Sequence, residues 1–304
     1  MKRILFSGIS LVAVLAASAV SAHAADLAQP PAVAVDPTNT MGYVEGSLGG
    51  YTQHQEYTSG GGDTYDSHGL VWSAAGRGVV YIDPSISIQG DVWTQSAHDT
   101  RSSSGGANAD GGAALHASYH VDDNDLVGIF GSMSEYGENN IGVEVVHTDA
   151  NYRIYGQIGW LHDTWDDPED AYQSPYIALT GDYFINPNFV ISGTIGATNY
   201  TASENDNEYT YTGNEVFWGA KAEYKLDNLP MTFFIEYKGQ AWTESETDTI
   251  DPSTRNGTDH RVQVGFRIPI GSDSIQDLNK RDGLKDFNAD FGHFNSVTGN
   301  GLLK

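Results

Sequence analysis

The stretch Arg261-Val262-Gln263-Val264-Gly265-Phe266-Arg267-Ile268-Pro269-Ile270 alternates: Val262, Val264, Phe266, Ile268 and Ile270 are apolar, and Arg261, Gln263 and Arg267 fall between them. A strand sends successive side chains to opposite faces, so this segment has one continuous apolar face and one face of guanidinium and amide groups. Two environments accept such a strand. In a soluble sandwich the apolar face packs on a second sheet, whereas in a sheet closed on itself within a bilayer it meets lipid and the polar face lines the interior. The rest of the chain decides between them.

At the N-terminus, Lys2 and Arg3 precede an apolar run from Ile4 to Val20 that ends in Ala22-His23-Ala24, a small-x-small cleavage site. This predicts a secretory signal peptide over residues 1–24. No later stretch approaches the roughly 18 apolar residues that a spanning helix needs, so the exported chain is either soluble or a barrel. Losing Lys2 and Arg3, with no acid beside them, takes the formal charge from −25 to −27. Nucleic acid is an unsuitable partner for such a surface. The chain has no cysteine, so neither disulfides nor thiolate metal sites hold the fold. Thirty-five glycines and 17 tyrosines fit a chain whose apolar residues are spread by alternation.

Two kinds of connection separate the alternating segments. Short ones carry Pro, Asp and Asn: Asp83-Pro84, Asp122 to Asp125, His147 to Asn151, Asn186-Pro187-Asn188, and Asp227 to Pro230. Pro fixes φ there, and Asn and Asp tolerate left-handed backbone. Longer polar connections fall between them, at Gln53 to Ser67, Ala97 to Ala109, Ser134 to Asn140, His162 to Gln173, Thr201 to Thr212, and Glu244 to Gly257. Short turns on one side and long loops on the other describe a membrane barrel with turns in the periplasm and loops outside. Six loops and five turns join twelve strands.

The strands are expected near 42–52, 68–82, 85–96, 110–121, 125–133, 141–147, 151–161, 174–185, 189–200, 213–225, 231–243 and 259–270. The expected fold is therefore all-β: a closed antiparallel transmembrane β-barrel over 41–271. Ten strands is the alternative, should the fifth and sixth form one irregular excursion. Outside the barrel, residues 25–40 read as a Pro-rich periplasmic leader. Residues 272–304, rich in Gly and mixed charge, read as a flexible periplasmic tail with a short helix conceivable around Ser274 to Leu284.

Sorting each strand by its apolar face tests this independently of the turn count. Seven basic residues fall in strands: Arg77, Arg153, Lys221, Lys225, Lys238, Arg261 and Arg267. All lie opposite the more apolar face, with Arg77 the least clean because Val71 and Val79 share its parity. A basic residue facing lipid at the midplane costs roughly 2–4 kcal/mol, so a bilayer enforces this segregation. Tyr43, Tyr51, Trp72, Tyr81, Trp160, Tyr183, Tyr200, Trp218, Tyr224 and Trp242 cluster toward strand ends, as interfacial aromatics do.

With these features the chain resembles the small porin-like outer-membrane β-barrels of Gram-negative bacteria. The likeness is carried by the signal ending Ala22-His23-Ala24, by hairpin segments such as Gly78-Val79-Val80-Tyr81-Ile82-Asp83-Pro84, and by Val262-Gln263-Val264-Gly265-Phe266-Arg267-Ile268. In that family the last strand usually ends the protein on an aromatic residue recognised during insertion. Here Ile270 and 34 further residues follow. The resemblance implies an outer-membrane location, with lipid, lipopolysaccharide and the barrel-assembly machinery as partners.

The expected lumen holds the seven bases with Asp91, Glu144, Asp182, Glu223 and Glu236. Twelve strands lie between small barrels filled by side chains and wide porins. One reading is a narrow diffusion pore for small hydrophilic solutes, whose stripe of Lys221, Lys225, Lys238, Arg261 and Arg267 favours anions. In strand number it resembles the channels for acidic oligosaccharides. The other is a closed scaffold in which these bases pair with Glu223, Glu236 and their neighbours. A third places the function in surface recognition by the loops.

Catalysis is not expected. His116-Ala117-Ser118 puts a His and a hydroxyl on one face, but Tyr119-His120 follow where barrel hydrolases carry Asn, and the pair points inward. Asp163, Asp166, Asp167, Glu169 and Asp170 lack the spacing of a calcium loop. With Glu204, Asp206, Glu208, Glu244, Glu246, Asp248 and Asp251 they form an acidic outer rim. No residue pattern points to a resident metal or cofactor.

Overall fold

The computed structural model describes residues 40–58, 62–99, 108–134, 139–164, 171–204, 209–226, 229–247 and 253–281. The signal segment, the leader to residue 39, the tail beyond Arg281 and the tips of the long loops lie outside the described residues. So do Asp166, Asp167, Glu169, Asp170, Asp206, Glu208, Asp248 and Asp251 of the expected rim.

Twelve strands form the wall: β1 Thr40–Tyr57, β2 Thr64–Asp83, β3 Ile86–Asp99, β4 Asn108–His120, β5 Asp125–Ser134, β6 Asn139–Thr148, β7 Tyr152–Thr164, β8 Ala171–Asn186, β9 Phe189–Glu204, β10 Tyr209–Lys225, β11 Thr232–Thr247 and β12 Ser253–Ile270. Each pairs antiparallel with its sequence neighbours, and β1 pairs with β12 to close the ring. The ten-strand alternative is thereby excluded, since β5 and β6 pair from Asp125↔His147 to Met133↔Asn139.

On the short-turn side every strand ends within two residues of its expected position. The turns use the chemistry their sequences carry: Asp83 Oδ1 accepts the Ser85 N–H at 2.7 Å, Asp122 Oδ1 those of Asn124 and Asp125 at 2.8 Å, and Asn186 Oδ1 that of Asn188 at 2.9 Å. On the loop side most strands run further than expected. Gln53 to Glu56, read as loop, pair with Ser67 to Thr64. Beyond the bilayer nothing demands an apolar face, so backbone pairing continues there without the alternation that marks a strand in sequence.

The closing segment pairs with the first strand from Gly42↔Ile270 to Tyr51↔Arg261 and with β11 from Thr232↔Arg267 to Lys238↔Arg261. Val262, Val264, Phe266, Ile268 and Ile270 are 39–58% exposed on the outer wall, whereas Arg261 and Arg267 are 4% and 3% exposed inside. That inversion of ordinary burial is what a bilayer solvent requires. Leu48, Leu115, Ile141 and Ile195 continue the outward apolar belt on other strands.

After Ile270 the chain turns at Gly271, whose φ of +74° suits glycine. A helix follows, α1 at Ile275–Arg281, inside the span Ser274 to Leu284 where a short helix was conceivable. Ser274 caps it, its Oγ accepting the Asp277 N–H at 3.0 Å. Ile275 and Leu278 are fully buried, Ile275 against Phe184 and Val190 on the inner face at the short-turn end.

Candidate functional site

The barrel interior is the candidate site, and alternation in the strands builds it. Of the twelve candidate residues, Arg77, Asp91, Glu144, Arg153, Asp182, Lys221, Glu223, Arg261 and Arg267 are buried, while Lys225, Glu236 and Lys238 are half-buried. The structure gathers most of them into three groups rather than one stripe.

The first group lies on the wall of β1 and β10–β12. Arg267 donates through Nε and Nη2 to Glu45 Oε2 at 2.9 and 2.8 Å, and its Nη1 stands 3.3 Å from Glu223 Oε1. Lys221 Nζ sits 3.8 Å from Glu45 and 3.6 Å from Glu223, over the Phe234 ring at 4.0 Å. Tyr43 carries the Arg267 guanidinium on its face at 4.1 Å. Lys238 pairs with Glu236 at 3.3 Å. Arg261 Nη1 reaches from β12 past β1 and β2 to Gln95 Oε1 on β3, at 3.1 Å.

The second group is a chain of charges across β2, β3, β4 and β6. Arg77 bonds Asp91 through Nε. The His116 ring, fully buried, has Nε2 3.1 Å from Asp91 Oδ2 and Nδ1 3.0 Å from Glu144 Oε1. Tyr155 O–H donates to Glu144 Oε2 at 3.3 Å, and Phe130 stacks on the imidazole with ring centroids 5.6 Å apart. Nδ1 is hydrogen-bonded by Glu144, while Nε2 lies beside Asp91 without an aligned hydrogen bond.

In the third group Arg153 donates through Nε to Asp182 Oδ2 at 2.9 Å and through Nη1 to the Asn279 carbonyl of α1. Lys225 closes β10 near the short-turn rim, opposite Thr232 of β11.

Toward the loop side, aromatic rings share the interior with buried polar groups such as Glu215, Gln240, Glu244 and Asp259. Phe130, Leu161, Tyr176, Ala178, Tyr200, Phe217 and Trp242 form one buried cluster along β5 and β7–β11. Its rings lie on glycines of neighbouring strands: Phe130 on Gly142, Tyr176 on Gly159, Tyr200 on Gly213, Phe217 on Gly196 and Trp242 on Gly257. A side chain at any of these glycines would collide with the ring. This corrects part of the aromatic reading, because Tyr43, Tyr51, Tyr200 and Trp242 face inward. Trp72, Trp160, Tyr183 and Tyr224 are exposed on the outer wall, as interfacial residues should be.

Within this interior a cavity of about 70 Å³ lies against the wall formed by β10–β12 and β1–β3. Its walls include five bases (Arg77, Lys221, Lys238, Arg261, Arg267), three acids (Glu45, Asp91, Glu236), and the amides and hydroxyls of Gln95, Gln263, Ser47 and Ser73. The excess of base is opposite in sign to the net charge of −25 carried by the whole chain.

Sequence reasoning missed Glu45, Glu215 and Asp259 inside the barrel. Glu45 carried a signal, since it has the parity opposite to Val44 and Leu48. Asp259 and Glu215 stand toward the loop ends, where apolar alternation fades.

No protein-family model and no curated protein matches the chain. Among solved structures, the crystal structure of the COG4313 outer membrane channel from Pseudomonas putida F1 superimposes with a TM-score of 0.51 at 11% identity, over 81% of this chain and 99% of that one. OccK11 of Pseudomonas aeruginosa gives 0.31 at 9% identity over 75% and 96% of the two chains. A TodX monoaromatic hydrocarbon channel mutant gives 0.36 at 8% identity over 75% and 90%. At such identities the likeness is one of fold. The closed ring, its outward apolar belt and the superposition on the first of these define a transmembrane β-barrel.

Proposed function

We propose that the protein is a narrow diffusion channel of the outer membrane for small hydrophilic solutes, with a preference for anions. The observation that carries this reading is the cavity beside β1–β3 and β10–β12, whose polar walls hold more bases than acids. Pairing offsets much of the basic wall: Glu45 and Glu223 each stand 2.8–3.8 Å from both Arg267 and Lys221, and Glu236 pairs with Lys238. Lumen charge of this kind tunes selectivity in barrels.

The closed-scaffold reading also has an observation behind it, the packed cluster around Phe217. Planar-bilayer recording separates the two. The expected result is a small single-channel conductance with an anion-to-cation permeability ratio above one, and correctly folded protein that passes no current would overturn it. The same reading makes the protein a non-enzyme whose partners are small solutes, lipid with lipopolysaccharide, and the assembly machinery. The hold of Glu144 on His116 Nδ1 supports a structural role for that ring.

A further inference from the structure

We propose that α1 is a stopper docked in the periplasmic mouth of the barrel, and that it swings out on the Gly271 turn to widen the exit. Its effect on flux rests on the channel reading above; its docking does not.

The path of the chain carries the argument. β12 delivers the helix to the mouth, and Gly271 folds it back; a Cβ there would lie 2.6 Å from the Thr40 carbonyl oxygen of β1. The partners of α1 stand on the far wall. Gln276 N–H donates to the Pro187 carbonyl in the β8–β9 turn at 3.0 Å, the Gln276 side chain to the Ala150 carbonyl in the β6–β7 turn, and Arg153 of β7 to the Asn279 carbonyl. In a ring of twelve strands β7 is five places from β12, so a segment tied at both crosses the opening.

The attachment is strong enough to hold and small enough to release. Ile275 and Leu278 supply its buried apolar side chains, and Ile275 sits on Phe184 and Val190, which face into the barrel. Arg153 places a cation on a helix C-terminal carbonyl, a favourable contact for the helix dipole. A helix of seven residues has little stability of its own, so undocking and loss of helix occur together.

The test uses the full-length chain, which has no cysteine of its own. Ser192→Cys places one thiol on the inner face of β9, two residues above Val190. The double substitution Ile275→Asp, Leu278→Asp removes both apolar anchors. It is expected to raise the rate of thiol labelling by a membrane-impermeant maleimide about tenfold or more, through a larger undocked population. Single-channel conductance should rise with it. The conservative pair Ile275→Val, Leu278→Met should label at the parent rate. Unchanged labelling in the Asp variant, in protein whose heat-modifiable gel migration shows a folded barrel, would overturn the stopper. Faster labelling with no current from either protein would keep the stopper and remove the channel.

Discussion

Phe217 and Gly196 offer a quantitative test of the packed interior. Phe217 is fully buried among Phe130, Leu161, Tyr176, Ala178, Tyr200 and Trp242, and its ring lies over Gly196 of β9. Phe217→Ala deletes the ring from a site whose β-sheet walls cannot collapse inward, and is expected to cost about 3–5 kcal/mol. Gly196→Ala puts a Cβ into the same ring and 2.6 Å from the Ile177 carbonyl oxygen, so it overpacks at a cost of about 1–3 kcal/mol. In the double variant the new methyl occupies space the ring vacated, while the clash with Ile177 stays. The combined loss should therefore fall about 1–2 kcal/mol short of the sum. Urea unfolding in phospholipid vesicles, followed by tryptophan fluorescence, measures all four corners. Additive losses would refute contact between ring and glycine. A cost below about 1 kcal/mol for Phe217→Ala would refute a packed core and make these rings a loose lining.

Three further outcomes are expected. Val264→Arg, on the outer face of β12 between Leu48 and Ile235, should cost about 2–4 kcal/mol of folding in vesicles, whereas Gln263→Arg one residue away should be far milder; equal effects would reverse the assigned faces. His116→Leu leaves Asp91 and Glu144 without the cation between them, and should destabilise by about 3–5 kcal/mol in vesicle unfolding, partly restored by adding Glu144→Gln. Lys238→Glu, on the cavity wall, should lower the anion-to-cation permeability ratio read from reversal potentials in asymmetric salt, and an unchanged ratio would remove this wall from the permeation path.

Much of the architecture is legible in the chain because a bilayer leaves each strand one arrangement. Val262, Val264, Phe266, Ile268 and Ile270 had to face lipid, and one slip of register would have placed Arg261 and Arg267 there. The turns at Asp83-Pro84 and Asn186-Pro187-Asn188 likewise marked strand ends to within two residues. Where the bilayer constraint stops, legibility stops with it. Gln53 to Glu56 form a ladder whose polar sequence reads as loop, and Asp259 joins the interior from a segment with weak alternation. Val71 and Val79, which blurred the parity of Arg77, are interior residues beside it, while Leu70, Trp72 and Val80 face out.

The sequence by itself determined the barrel class, the closing pair and the inward face of the strand bases, because period-two alternation and turn chemistry are local, and it narrowed the strand number to twelve or ten. Only the tertiary structure decided how the inward side chains share the space. That Arg267 and Lys221 divide Glu45, that His116 lies between Asp91 and Glu144, and that rings from one strand rest on glycines of the next all depend on register between strands. That α1 crosses the mouth depends on the ring bringing β7 and β9 opposite the end of β12, a distance no local pattern records.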